Sequence, residues 1–175
     1  MTVSHRFPYF NRFREFEPDP RRPLDEEFQR LARFQGWARK SKQYVKERRH
    51  FLLAEFDQHL GTVERSRKLD DWQALCTELG ILPVHQSIRQ CKKVELYLPL
   101  YPSGKHQDSQ RRQALSTEVH VNLIDLLDSR RRGTKVKIFK TRAELISYTI
   151  VTRKFFPKDR AKKDGLLKIL LREIL

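Results

Sequence analysis

The chain has 175 residues, which suits one domain and is too short for two large ones. Its 37 Lys and Arg residues against 22 Asp and Glu give a net charge of +15, and its 11 Phe, 5 Tyr and 2 Trp exclude the aromatic-poor composition of a disordered protein. A charge of this size destabilises a folded chain unless a polyanion offsets it. The composition therefore favours a nucleic-acid-binding protein, although an acidic protein or an anionic lipid surface would also supply the negative charge.

The first 23 residues are predicted to form an extended, Phe- and Pro-rich arm. Prolines interrupt any regular element there, at Pro8, Pro18, Pro20 and Pro23. Aromatic rings recur at every third position of the arm, at Phe7, Phe10, Phe13 and Phe16. Two interpretations stay open: the rings pack back onto the domain, or they bind a partner or stack on bases.

From Leu24 onwards apolar residues recur at helical spacing, and capping residues such as Ser41 and Thr141 mark helix starts. We therefore predict a mainly α protein in which residues 24–175 form a single compact domain of about six or seven helices. The segments 94–101 and 134–139 alternate in hydrophobicity, and for these a short β element is left open.

No pattern in the chain indicates catalysis. The six histidines are scattered, no nucleophile or phosphate-loop motif is present, and the chain has only 6 Gly. Cys76, His85 and Cys91 do not have the spacing of a structural zinc site. We predict a protein that is not an enzyme and that needs no metal or cofactor.

The two cysteines, Cys76 and Cys91, lie in apolar contexts and are predicted to be buried free thiols of a reducing compartment. The first residues lack the apolar stretch of a signal peptide, and no run of about 18 apolar residues suggests a membrane span. These features predict a protein of the cell interior.

Residues 51–98 contain three predicted short helices, the second and third joined by a turn, which are the parts of a helix-turn-helix unit. The segment resembles the Myb/SANT family, on the matches Glu55-Phe56, Leu60-Gly61, Trp72-Gln-Ala-Leu-Cys and Gln90-Cys-Lys-Lys. Because the third helix of that family lies in the DNA major groove, the resemblance implies that Arg89, Gln90, Lys92 and Lys93 face DNA. SANT relatives often bind histone tails instead, so the resemblance leaves the ligand open.

More widely, the patterns around Trp72, Gln90, Val121 and Phe156 look like those of uncharacterised filamentous-fungal proteins. This resemblance implies a eukaryotic origin and no particular activity.

The last quarter of the chain, residues 130–175, carries 15 Lys and Arg against 4 acids. This concentration predicts a localised basic patch that neutralises phosphates without reading base sequence. The predicted phosphate contacts in it are Arg130, Arg131, Arg132, Lys135, Lys137, Lys140, Arg153, Lys154 and Lys158.

The leading hypothesis is a non-enzymatic protein of the nucleus that binds nucleic acid, DNA in preference to RNA, with a cytoplasmic location as the alternative. The competing hypothesis is a protein-interaction or scaffold subunit whose basic face and Phe-rich arm bind an acidic or chromatin protein. Membrane binding is the least favoured of the three, and the sequence does not indicate an oligomeric state.

Overall fold

The computed structural model describes residues 8–60, 69–81, 86–87, 96–97 and 119–157. A short 3-10 helix at Phe10–Arg12 precedes the regular elements. These are α1 (Leu24–Phe34), α2 (Lys42–His59), α3 (Leu69–Glu78), β1 (Leu96–Tyr97), β2 (Val119–Val121), α4 (Leu123–Arg132), β3 (Ile138–Phe139) and α5 (Arg142–Thr152).

The prediction of a mainly α domain is confirmed, with five α-helices in the described ranges instead of six or seven. The end of the predicted helix-turn-helix segment, 51–98, is not helical at Leu96–Tyr97, which is a strand paired with β2. Residues 88–95 and 158–175 lie outside the described residues.

The helix ends follow from local chemistry. Ser41 precedes α2 and its side chain accepts a hydrogen bond from the backbone N–H of Tyr44, as predicted for an N-cap. At the start of α1, Asp25, Glu26 and Glu27 place negative charge near the positive end of the helix dipole. Gly36 follows α1 with φ +68°, a conformation that glycine adopts without strain.

The small sheet joins distant parts of the chain. β2 lies in the centre, parallel to β1 with Leu96 opposite Val119, and antiparallel to β3 with Val121 opposite Ile138. The apolar stretch 119–127 is strand first and helix second. The change occurs at Asn122, whose side-chain oxygen accepts from the N–H groups of Ile124 and Asp125 and so caps α4.

The core is built around the inner face of α2, which packs against α1 and α4. Phe51 of α2 is fully buried and stacks on Phe28 of α1, with ring centroids 5.4 Å apart. Further along α2, the ring of Phe56 meets Phe156 at 5.7 Å. The outer face of α2 is thereby left to solvent, which decides where the candidate site lies.

The described part of the predicted arm, residues 8–23, packs onto the helices instead of standing free. Tyr9, Phe10 and Phe16 are buried, and the rings of Tyr9 and Phe10 each lie 5.3 Å from that of Phe51. The phenolic O–H of Tyr9 donates to the backbone oxygen of Glu47 at 3.1 Å and to its Oε2 at 2.9 Å. The sequence left open whether the arm rings pack onto the domain or bind a partner, and these three rings pack onto the domain.

Arg131 of α4 secures the end of the arm. Its guanidinium donates to the backbone oxygens of Asp19 at 3.0 Å and Arg22 at 3.3 Å. The neighbouring carboxylate of Asp128 accepts from the N–H of Leu24 at 3.1 Å, at the first residue of α1. Side chains of α4 therefore satisfy backbone groups of a segment more than 100 positions away in the sequence.

Replacing Tyr9 with Phe is expected to lower the free energy of unfolding by about 1.5 kcal/mol, because the change removes a hydrogen bond to a buried carboxylate. Chemical denaturation measures the change. Tyr44→Phe is the matched control, because the Tyr44 ring packs on Phe28 while its hydroxyl forms no hydrogen bond among the described residues. An equal loss in both variants would contradict the role given to the Tyr9 hydroxyl.

A comparison of the wild type with Tyr9→Phe also gives a pH test. Burial, followed by the hydrogen bond to Glu47, raises the pKa of Tyr9 above its ordinary value of 10.0. The stability that depends on neutral Tyr9 is therefore complete below pH 10 and is lost as the pH rises above it, because the unfolded chain ionises first. Denaturation at several alkaline pH values should show the difference between wild type and Tyr9→Phe shrinking above pH 10.

Candidate nucleic-acid interface

The three consecutive arginines at the end of α4 do not form the predicted basic patch. Arg130 pairs with Glu78 at 2.6 Å and donates to the backbone oxygen of His59. Arg131 is buried beneath the arm, and Arg132 pairs with Asp128 at 2.8 Å. Successive residues on a helix point about 100° apart, so the three side chains reach three different surroundings. Their positive charge is used to hold the fold together.

Lys154 is likewise occupied within the fold. Its ammonium group lies 2.5 Å from Asp125 Oδ1 and 3.0 Å from the hydroxyl of Tyr148. Burial lowers the pKa of Lys154, but these two hydrogen bonds outweigh it and raise the pKa above the ordinary value, so the group stays charged. We therefore withdraw Arg130, Arg131, Arg132 and Lys154 as principal phosphate contacts.

Other predicted contacts of the C-terminal patch are on the surface. Lys135, Lys140 and Arg153 are exposed. Lys137 is exposed as well, and its ammonium group lies 4.8 Å from the ring centre of Phe139 and 4.9 Å from that of Tyr148. These four residues surround β3 and the ends of α5, and their role as phosphate contacts stays a prediction.

Several predicted site residues lie outside the described part of the chain: Phe7, Arg89, Gln90, Lys92, Lys93 and Lys158. They include Arg89, Gln90, Lys92 and Lys93, which the Myb/SANT-like resemblance predicts to face DNA.

The partner role predicted for the arm phenylalanines is wrong for Phe10 and Phe16 in this fold, because both rings are core residues and stack on each other at 5.4 Å. Phe13 is half-buried and packs edge-on against Trp37 at 5.7 Å. The described arm therefore offers little ring surface to a partner.

The structure brings together a basic face that was missed in the sequence, on the outer side of α2. An open depression of about 670 Å³ is lined there by Lys40, Lys42, Val45, Lys46, Arg49, His50 and Leu53. Within the described residues, no carboxylate forms an ion pair with Lys40, Lys42 or Lys46. We refer to these seven residues as the basic face of α2.

The spacing of the cationic groups follows from the helix. Lys42, Lys46 and Arg49 are four and three residues apart, so they succeed one another at about 6 Å and about 4.5 Å along the helix axis. Lys40 joins this row from the preceding turn, where its backbone has φ 69°. Such a left-handed conformation costs a non-glycine residue about 1 kcal/mol or more, so the surrounding structure holds the turn in place.

The acid of this segment is buried, and its Oε2 lies 3.9 Å from Nδ1 of His50, one of the residues of the basic face. Between residues 39 and 49 the chain has six Lys and Arg and one acid, Glu47. Glu47 is buried on the inner side of α2, where it accepts from Tyr9 and pairs with Arg12 at 3.3 Å. The surface of this segment is therefore almost purely cationic, and packing of the arm keeps it so.

A sequence signal for this face exists in the i, i+4, i+7 spacing of Lys42, Lys46 and Arg49. This spacing is less conspicuous in the sequence than the apolar residues of the same helix and than the concentration of Lys and Arg in the last quarter of the chain.

In the described ranges there is no cluster of three or more His, Cys, Asp or Glu residues that could hold a metal ion. A search of the same ranges finds no helix with the length and hydrophobicity to cross a membrane. No family model matches the chain, and comparisons with curated proteins and with solved structures find no significant similarity.

Proposed function

We propose that the protein binds double-stranded nucleic acid, DNA in preference to RNA, through phosphate contacts made by the basic face of α2. The single observation that carries the proposal is the row of lysines on this face that form no ion pair within the described fold. A folded protein of charge +15 gains most from a polyanion where its cations are not already paired with its own carboxylates.

Phosphate spacing supports the proposal. Duplex DNA carries one negative charge per about 1.7 Å of its axis. The row from Lys42 to Arg49 extends about 10 Å along the helix, so several phosphates come within reach of it. Long lysine side chains adjust to the phosphate positions without a preformed pocket, which suits binding to the backbone of the duplex.

The residues that line the basic face of α2 favour binding of a duplex over a single strand. Proteins that hold single strands usually stack bases on aromatic side chains. No Phe, Tyr or Trp lines the basic face, and the arm rings of Tyr9, Phe10 and Phe16 are buried. The proposed binding is therefore dominated by phosphate contacts and reads little base sequence.

A nuclear location follows from the proposed ligand and is part of the proposal. The Myb/SANT-like resemblance would add base contacts from residues 88–95, but the phosphate contacts of α2 do not depend on it.

The test is binding of the full chain to labelled duplex DNA, single-stranded DNA and duplex RNA across a salt series. With at least three phosphates neutralised, the logarithm of the affinity for duplex DNA should fall by about 2.7 or more per tenfold rise in salt. Duplex DNA is expected to bind more tightly than the single strand.

Loss of binding to all three nucleic acids near physiological salt would contradict the proposal and favour an acidic protein as the polyanion. Tighter binding to the single strand would contradict the assignment of a duplex.

A further inference from the structure

The turn that leads from α1 into α2 has a lysine in a conformation that glycine adopts more easily. The backbone N–H of Ser41 donates to the carbonyl oxygen of Ala38 at 3.0 Å, so residues 38–41 form a β-turn. Lys40, the third residue of this turn, has φ 69°, whereas φ of Arg39 before it is not positive. A positive φ at the third position alone is the pattern of a type II turn, in which that position is usually Gly or Asn.

Glycine occupies the same conformation elsewhere in the fold. Gly36, four residues before Lys40 in the same connection, has φ 68°, and Gly80 and Gly133 also have positive φ. Lysine is not among the non-glycine residues enriched in the left-handed region, which are Asn, Asp and His. Its Cβ atom is crowded there by the backbone, so the conformation of Lys40 costs free energy that a glycine would not.

The side chain of Lys40 makes no contact that offsets this cost within the described residues. It is exposed, and there it forms no hydrogen bond, no ion pair and no contact with an aromatic ring. A strained residue persists where another interaction compensates for it, and such residues cluster at binding sites. For Lys40 that interaction has to come from outside the described residues.

The surroundings of Lys40 indicate the kind of group that compensates. Lys40 lines the depression of the basic face of α2 together with Lys42 and Lys46, and the three lysines are exposed. None of the three is in an ion pair with a described carboxylate. Several ammonium groups around one open depression attract a ligand that carries several negative charges, as a row of phosphates does.

We infer that the turn 38–41 lowers the stability of the protein in order to raise its affinity for the ligand, with the ammonium group of Lys40 bound to a phosphate. The inference rests on the proposed function, and it adds that the backbone and the charge of Lys40 act in opposite directions. Glycine at this position would relieve the strain and would remove the phosphate contact.

Two variants of the full chain separate the backbone from the charge. Lys40→Gly removes the strain and the charge, whereas Lys40→Gln removes the charge and leaves a strained residue in place. We expect Lys40→Gly to raise the melting temperature by about 2 °C, because the relief of strain exceeds the greater freedom of glycine in the unfolded chain. Lys40→Gln should melt within about 1 °C of the wild type, and calorimetry measures both.

Binding to labelled duplex DNA is the second measurement. Because each variant loses one phosphate contact, each should bind about eightfold more weakly than the wild type at 0.1 M salt. The slope of the logarithm of affinity against the logarithm of salt should become shallower by about 0.9 in both. Lys40→Gly is therefore expected to be the more stable protein and the weaker binder.

Arg153→Gly is the matched control. Arg153 is also an exposed cation with positive φ, at 56°, but it follows α5 and does not line the basic face of α2. Its replacement should raise the melting temperature by a similar amount, since the same kind of strain is relieved. The affinity for duplex DNA should fall by less than about threefold, because no contact of the basic face is lost.

Duplex DNA binding that is the same in Lys40→Gly and the wild type would overturn the inference and leave the proposed function standing. A melting temperature of Lys40→Gly no higher than that of Lys40→Gln would overturn it as well, because the turn would then not be strained. An equal loss of affinity in Arg153→Gly would do so by showing an effect of net charge. No binding of duplex DNA by the wild type would contradict the proposed function itself, and the inference with it.

Discussion

Replacing Arg131 with Met is expected to lower the free energy of unfolding by about 3–5 kcal/mol, as removal of one partner from a buried charged group does. Arg131 is 7% exposed, and it holds the backbone oxygens of Asp19 and Arg22. Burial lowers the pKa of Arg131, while the charges of Glu55 and Glu27 act in the opposite direction and favour the charged form. The variant leaves both acids buried without that cation.

Urea denaturation measures the loss, and two further variants make the test specific. Arg132→Met, at the next position, removes a partly exposed arginine paired with Asp128 and should cost about 1 kcal/mol. The charges of Glu55 and Arg131 attract each other, and neither carboxylate oxygen of Glu55 has a hydrogen-bond partner in the described residues, although His59 Nε2 lies 3.5 Å from Oε2. Arg131→Met with Glu55→Gln should therefore cost less than the two single changes together. Equal losses for Arg131→Met and Arg132→Met would contradict the role of Arg131.

Replacing Lys42 and Lys46 with Gln is expected to lower the affinity for duplex DNA about 60-fold at 0.1 M salt. Each lysine that neutralises a phosphate contributes about 0.9 to the logarithm of the affinity at this salt concentration, relative to 1 M. Glutamine is a good helix former, so α2 should keep its structure and the protein its stability.

The matched control is Lys135→Gln with Lys140→Gln, which removes the same charge from the surface around β3. We expect this pair to lower the affinity by less than about threefold, because these lysines lie outside the basic face of α2. A larger loss from the control pair than from the α2 pair would place the interface in the C-terminal part of the chain, as the sequence alone had suggested.

The sequence was sufficient for the features that local chemistry decides. The N-cap at Ser41 and the helix beginning after Thr141 were predicted from short capping patterns, and both side chains accept the expected backbone hydrogen bonds. The mainly α class followed from apolar periodicity. In each case the deciding contacts lie within a few residues of one another.

Features that long-range contacts decide could not be predicted. The spacing of Phe10 and Phe16 is the same whether the rings face a partner or the core, and only the packing on Phe51 decides it. The pairing of β1 with β2 joins Leu96 to Val119, which no local pattern reveals.

Charge is the property for which the sequence was most misleading. The run Arg130, Arg131 and Arg132 counts as three positive charges in the sequence, yet each side chain is occupied by a different partner in the fold. In residues 39–49 the reverse holds, because their single acid, Glu47, is held inward by Tyr9 and Arg12 and leaves the outer lysines without an ion pair in the described residues. Net charge along the chain therefore does not show which cations a ligand can reach.

The most direct test of the proposed interface is the salt dependence of duplex DNA binding, compared between the wild type and Lys42→Gln with Lys46→Gln. If both lysines neutralise phosphates, the slope of the logarithm of affinity against the logarithm of salt should become shallower by about 1.8. An unchanged slope, whatever the change in affinity, would show that these lysines do not contact phosphates and would contradict the assignment of the basic face of α2.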